Sequence, residues 1–172
     1  MNLPQAGQAE WRDAIEAHLR DGAAVRLAAI DSCLPVIVQA AAAIAQCLHG
    51  GGTVFFCGNG GSAADAQHLA AELVGRYLRD RHALAAVALT TDTSVLTAVG
   101  NDHGFEQVYE RQVNAVMRAR DVLVALSTSG RSESVVRAVL AAKKAGATVI
   151  GMTGAAESPV AALADIAIHV PS

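Results

Sequence analysis

From Thr53 onward, short apolar runs alternate with helical stretches, and this alternation constrains the fold more than any other feature. The runs are Thr53–Cys57, Leu84–Leu89, Val122–Leu126, Thr148–Met152 and Ile166–Val170. Each is nearly continuous in apolar character, as expected of strands covered on both faces. Between them, Ala63–Leu78, Phe105–Met117 and Glu133–Ala145 carry helical patterns. Strands alternating with helices imply parallel pairing through right-handed crossovers. The expectation is an α/β fold with one five-stranded parallel sheet flanked by helices. Its ligands would sit at the carboxyl edge of the strands.

Ahead of this pattern, residues from about Ala9 to Gly50 read as helical. Ile15, Leu19, Val25, Leu27 and Ile30 form an interrupted apolar face. Asp31-Ser32 offers an N-cap with Pro35 in the next turn, which suggests a second helix running to Leu48 and stopping at Gly50-Gly51-Gly52. Helices without chemistry of their own often serve packing or oligomerisation, and that role is expected here. Residues 1–50 are therefore an N-terminal helical segment of the same domain, and 51–172 the binding domain. At 172 residues the chain fits one domain. Gly154–Pro159 reads as a loop.

Composition narrows the function. The formal net charge of −3 gives no basic excess for a nucleic-acid backbone, so no nucleic-acid partner is expected. The densest basic run, Arg76, Arg79, Arg81 and His82, reads as a solvated helix end that could also draw in an anion. Cys33, Cys47 and Cys57 are odd in number and show no CxxC, which argues for reduced thiols and a cytoplasmic location. The start, Met1 to Arg12, lacks the apolar core of a signal peptide. No apolar run reaches ~18 residues without charge or Gly, so no membrane partner is expected.

Two loops look built for an anion. The first strand runs into Gly58-Asn59-Gly60-Gly61-Ser62 and the third into Ser127-Thr128-Ser129-Gly130-Arg131-Ser132, each directly before a helix. Free N–H groups and the helix dipole favour an anion there, glycine permits close approach, and hydroxyls add hydrogen bonds without a competing charge. Either loop alone could be an ordinary turn with a Ser N-cap; two on neighbouring strands favour a shared phosphate site. The pattern G-x-x-x-x-G-K-[ST] is absent. Gly58, Gly60 and Ala63 fit the dinucleotide fingerprint formally, but Asp92 lies 34 residues after Gly58, where that fingerprint expects roughly 20.

The helix after the first loop places Asp65, His68 and Glu72 on one face by their spacing of three and four. A carboxylate this far from the helix start could reach the far end of a bound sugar phosphate. Ketose–aldose isomerisation moves a proton between adjacent carbons, which a carboxylate can do through an enediol. His68 and Glu72 could also share a metal, since both are good zinc ligands. On local evidence alone, a satisfied, half-buried histidine and an exposed helix carboxylate are the favoured readings of His68 and Glu72. Asn101 and Asp102, in the polar loop Gly100–Gly104, could meet sugar hydroxyls or form a turn and cap.

Together these stretches resemble the phosphoheptose isomerase family of the sugar isomerase (SIS) fold group. The resemblance runs from about Gly51 to Pro171 and rests on Cys57–Glu72, Leu89–Ser94, Val99–Asp102 and Ser127–Ser132. It implies interconversion of sedoheptulose 7-phosphate and glycero-manno-heptose 7-phosphate, the first step toward activated heptoses for surface glycans such as lipopolysaccharide. It implies that Asn59, Gly60 and Gly61 contact substrate, that Ser62, Ser127, Thr128, Ser129 and Ser132 hold the phosphate, and that Asn101 and Asp102 meet the sugar. It makes Glu72 the proton-transferring base, gives zinc the ligands His68 and Glu72, and implies a homotetramer. It also implies a further helix beyond Ser172, bearing a Gln and a His that complete the metal site, the His serving as acid; such a tail is expected to follow in the natural protein. His169, in the last strand, reads as structural. A second reading is a non-catalytic SIS-domain protein that binds the replication initiator or senses sugar phosphates. Asp65, Glu72 and Gly60-Gly61 favour the enzyme.

Overall fold

A computed structural model of the chain describes residues 7–154 and 157–171. Five strands form one sheet: β1 (Val54–Gly58), β2 (Ala86–Ala88), β3 (Val122–Leu126), β4 (Thr148–Thr153) and β5 (Ile166–His169). Their order is β2-β1-β3-β4-β5, and every pair is parallel. The expected α/β architecture is what forms.

The strands are apolar throughout because both faces are covered. Successive side chains point to opposite faces. Phe55, Cys57, Leu123, Ala125 and Val149 pack with α4 (Val108–Val116), α5 (Glu133–Lys144) and α6 (Pro159–Leu163). Val54, Phe56, Val124 and Ile150 pack with α1 (Gln8–His49) and α2 (Gly61–Val74) on the other side.

The N-terminal segment is one helix rather than two. Ser32 does not cap: its hydroxyl donates back to the Ala28 carbonyl within the helix, at 2.9 Å. Pro35 sits inside α1, where a missing N–H and ring clash cost on the order of 3 kcal/mol. Burial of Cys33, Ala40 and Cys47 and a bond from Cys33 Sγ to the His169 carbonyl at 2.9 Å tie the same stretch to β5 and offset that cost. At 42 residues, α1 is about 63 Å long. Trp11, Ile15, Leu19, Leu27, Ile30 and Leu34 are exposed along it. An 18-residue window of α1 has mean hydropathy 1.9, enough by length and composition alone to cross a membrane; the single Gly- or charge-free run sought in the sequence understates how apolar this helix is.

Other boundaries shift for local reasons. The stretch Ala63–Leu78 stays helical only to Val74, because Arg81 folds back over the end of α2. Its Nη1 donates to the carbonyls of Leu73 and His82 (both 2.8 Å), and its Nη2 to that of Glu72 (2.6 Å). The basic run is thus partly a helix cap, and Arg76 pairs with Asp80 at 3.3 Å. A further helix, α3 (Thr93–His103), begins where Asp92 accepts from the Val95 N–H at 3.0 Å. Gly100–His103, read as a polar loop, are its last turn; the cap at Asp92 starts the helix early enough to absorb them. Phe105–Gln107 is a 3-10 turn before α4. The loop expected at Gly154–Pro159 gives way at Ser158, which caps α6 by accepting from Ala161 N–H; its residues 155–156 lie outside the described residues.

Candidate active site

The chain leaves β1 to one side for β2 and returns to the other for β3, so strand order reverses between β1 and β3. Ligands of open parallel sheets bind at such a switch point, beyond the carboxyl ends of the strands. The two loops singled out in the sequence emerge there, after Gly58 and Leu126, which are register partners at the end of the β1–β3 ladder.

Both loops hand over to helices whose N-termini lack a side-chain cap. Gly60 occupies the cap position of α2, with φ 56° and ψ −122°, a conformation that favours glycine. Ser132 occupies that position on α5 but makes no capping bond; its Oγ accepts from Ser127 Oγ at 3.3 Å. By contrast, α3 and α6 are capped by Asp92 and Ser158. The ordinary turn with a Ser cap is therefore not what forms. The bonds of the two helices begin with the N–H groups of Ala63 and Val135, which donate to the Gly60 and Ser132 carbonyls at 3.0 Å, so the N–H groups of Gly61, Ser62, Glu133 and Ser134 ahead of them are the ones a helix start offers to an outside acceptor.

Close packing holds the loops in place. A Cβ on Gly58 would stand 2.8 Å from the Ser62 carbonyl oxygen and 2.9 Å from that of Leu126. Gly130 has φ 62°, and its missing Cβ would overlap Ser158. Its N–H donates to Ser127 Oγ at 3.1 Å, and the Gly154 N–H donates to the Thr128 carbonyl at 3.0 Å. Ser129 Oγ accepts from the Arg131 N–H at 3.2 Å, which leaves its own proton to donate. Ser62, Asp65, Ser127, Thr128 and Thr153 line one cavity of about 250 Å³. Asp65 and Thr153 were not among the residues expected to bind; both had their signal in position, Asp65 on the helix face and Thr153 at a strand end.

Along α2 the same face continues to His68 and Glu72. His68 Nε2 lies 3.6 Å from Glu72 Oε1, with side-chain exposures of 73% and 30%. Glu72 sits ten residues after Ser62, about 15 Å along the helix, and its side chain leans back toward the N-terminus. Both line an apolar cavity of about 540 Å³ between α1, α2 and the sheet. Two donors are half of a tetrahedral zinc set. Among the described residues, no third His, Cys, Asp or Glu joins them.

The other expected contacts are bonded to groups of the protein itself. Asn101 and Asp102 are exposed in the last turn of α3 and bond each other at 2.7 Å. The Asn59 side chain turns inward. Its Nδ2 donates to Ser134 Oγ at 3.0 Å, and Oδ1 accepts from the Tyr109 hydroxyl at 3.2 Å. Tyr109 and Ser134 were missed; a tyrosine on an apolar helix face was the available signal, since a buried hydroxyl needs a partner. His169 Nδ1 meets Thr153 Oγ1 at 3.1 Å, away from Glu72's cavity.

Comparison with known proteins agrees with this geometry. The SIS domain family matches residues 19–154. The phosphoheptose isomerase of Rhodospirillum rubrum is 57% identical over 143 residues, covering 83% of this chain and 76% of that protein. That of Roseiflexus sp. is 45% identical over 173 residues, covering 100% and 86%. The solved phosphoheptose isomerase of Neisseria gonorrhoeae superposes with TM-score 0.89 at 45% identity, covering 94% of this chain and 86% of that one. With an SIS core, four ordered motifs and relatives of this similarity over most of its length, the chain belongs to the phosphoheptose isomerase family.

Proposed function

We propose that this chain interconverts sedoheptulose 7-phosphate and D-glycero-D-manno-heptose 7-phosphate, the isomerisation that opens heptose biosynthesis. The observation that carries this reading is α2 itself. It starts at an uncapped, Ser-lined anion site and carries a half-buried carboxylate, Glu72, along the same face. A substrate with phosphate at one end and a carbonyl at the other matches that layout.

The phosphate is held by the open N–H groups of α2 and α5 with Ser62, Ser127, Thr128, Ser129 and Ser132, while Gly60 and Gly61 let the backbone approach. Glu72 takes the proton from C1 of the ketose as O2 gains one, giving a 1,2-enediol. Return of a proton to C2, with loss of the O1 proton, gives the aldose, and no net oxidation occurs. Asn101 and Asp102 would meet the sugar from α3. His68 and Glu72 would supply two ligands to a zinc ion, the remaining ligands coming from elsewhere in the assembly or chain. When bound, zinc polarises substrate oxygens as a Lewis acid.

The exposed apolar residues of α1 support a homo-oligomer, expected as a tetramer, with α1 in the contacts. The packing of α1 on β5 supports assembly over membrane insertion. Three free, buried cysteines and a phosphorylated substrate support a cytoplasmic location, and residues 1–50 are read as an integral part of the SIS domain. Incubation with sedoheptulose 7-phosphate, followed by NMR of the sugar carbons, tests the reading. The aldose phosphate is expected; unchanged ketose with zinc supplied, both with this chain and with one extended into any following coding sequence, would reject it.

A further inference from the structure

Asn59 lies in a loop proposed to face substrate, yet both ends of its amide are used inside the protein. Nδ2 donates to Ser134 Oγ at 3.0 Å, and Oδ1 accepts from the Tyr109 hydroxyl at 3.2 Å. The hydroxyl's one proton is shared between that oxygen and the nearer Gly58 carbonyl, at 2.6 Å. Tyr109 comes from α4 and Ser134 from the first turn of α5, and each is only 3% exposed. One buried cluster therefore joins the β1 loop, α4 and α5.

We infer that Tyr109 and Ser134 are positioning residues for the phosphate site, Tyr109 acting through the Gly58 carbonyl and Asn59, and Ser134 through Asn59. Ladder pairing between β1 and β3 ends at Gly58 and Leu126. Past that pair, the Asn59–Ser134 bond ties the loop that begins α2 to the helix whose cap is Ser132. The distance between the two anion-binding N-termini is thus set by a side-chain strut as well as by the sheet. Fixing that distance before substrate arrives removes an ordering cost from binding. Burial, with the nearby Cys57 thiol, pushes the Tyr109 hydroxyl up to about 12, so it stays a donor across the working range. This inference rests on the phosphate site of the proposed function but not on turnover.

The test uses inorganic phosphate as probe, by calorimetry, beside steady-state kinetics on sedoheptulose 7-phosphate. Tyr109→Phe and Ser134→Ala are each expected to weaken phosphate binding roughly three- to tenfold, the effect of one lost neutral hydrogen bond. KM should rise in step, with kcat changed less. Ser134→Thr, which keeps the hydroxyl, should restore affinity. In an Asn59→Ala background, Ser134→Ala should have no further effect, because its strut is already gone. Unchanged phosphate affinity in both folded single variants, or a full Ser134→Ala effect persisting without Asn59, would overturn the inference. A chain that binds phosphate with this pattern but does not isomerise the heptulose would reject the proposed function and leave the strut standing.

Discussion

His68 Nε2 and Glu72 Oε1 face each other at 3.6 Å across one turn of α2. Helix geometry alone brings them together, since residues four apart share a face. The two differ in exposure, 73% for the histidine side chain and 30% for the carboxylate; in the proposed reading the pair would share an ion, and the more sheltered Glu72 would also serve as base.

If the pair holds zinc, His68→Ala should lower the metal content of purified protein. The loss should exceed the roughly 10–100-fold cost in affinity of removing a supporting outer-shell group. Metal analysis of variant and parent, prepared identically, checks this; equal zinc in both removes His68 from the ligand set.

Ser129 offers a hydroxyl whose oxygen already accepts the Arg131 N–H, so its own proton is left to donate to an anion. Ser129→Ala should raise KM for the sugar phosphate by roughly tenfold or more, the range for a hydrogen bond to a charged group. Kinetics at saturating and limiting substrate separate this from a loss in kcat, and an unchanged KM would count against the second loop as phosphate clamp.

Gly58 has no room for a side chain, because the Ser62 and Leu126 carbonyl oxygens would stand 2.8 and 2.9 Å from its Cβ. Gly58→Ala should cost about 1–3 kcal/mol by overpacking. Thermal unfolding should show it, at about 2–4 °C per kcal/mol for a chain of this size. A variant melting with the parent would mean that the strand end gives way without strain.

Acid stability should depend on Asp165. Burial pushes its carboxyl up, but hydrogen bonds from Lys143 and the Val149 N–H, with the Lys143 charge, outweigh burial and leave it below the ordinary 3.8. A depressed folded value contributes stability above 3.8 that is lost as pH falls through it. Asp165→Asn should therefore be the less stable protein at neutral pH, and the gap should close below 3.8. A gap independent of pH would assign the effect to packing.

The sheet was legible because strands buried on both faces must be apolar throughout, and Val122–Leu126 stands out from its surroundings for that reason. The two loops of the candidate anion site were legible as a pair because glycine- and serine-rich clusters follow the ends of neighbouring strands, each directly before a helix. The continuous α1 was hidden by Ser32 and Pro35, whose local signals for a new helix are overridden by packing against β5. Helix α3 was hidden because Gly100-Asn101-Asp102 has turn composition, while its start depends on one cap at Asp92. The inward turn of Asn59 was invisible because its partners lie 50 and 75 residues away, and nothing local announces them.

The central claim is that Glu72 moves a proton between carbons of a phosphorylated ketose. The most direct test is turnover of sedoheptulose 7-phosphate in deuterated water by the parent chain and by Glu72→Gln, with zinc present. The parent should form the aldose, with deuterium at C2 in the share of turnovers in which the carboxyl proton exchanges with solvent, and the isosteric variant should fold and bind phosphate but turn over roughly 10²–10⁴-fold more slowly. Retained turnover in Glu72→Gln would contradict the account.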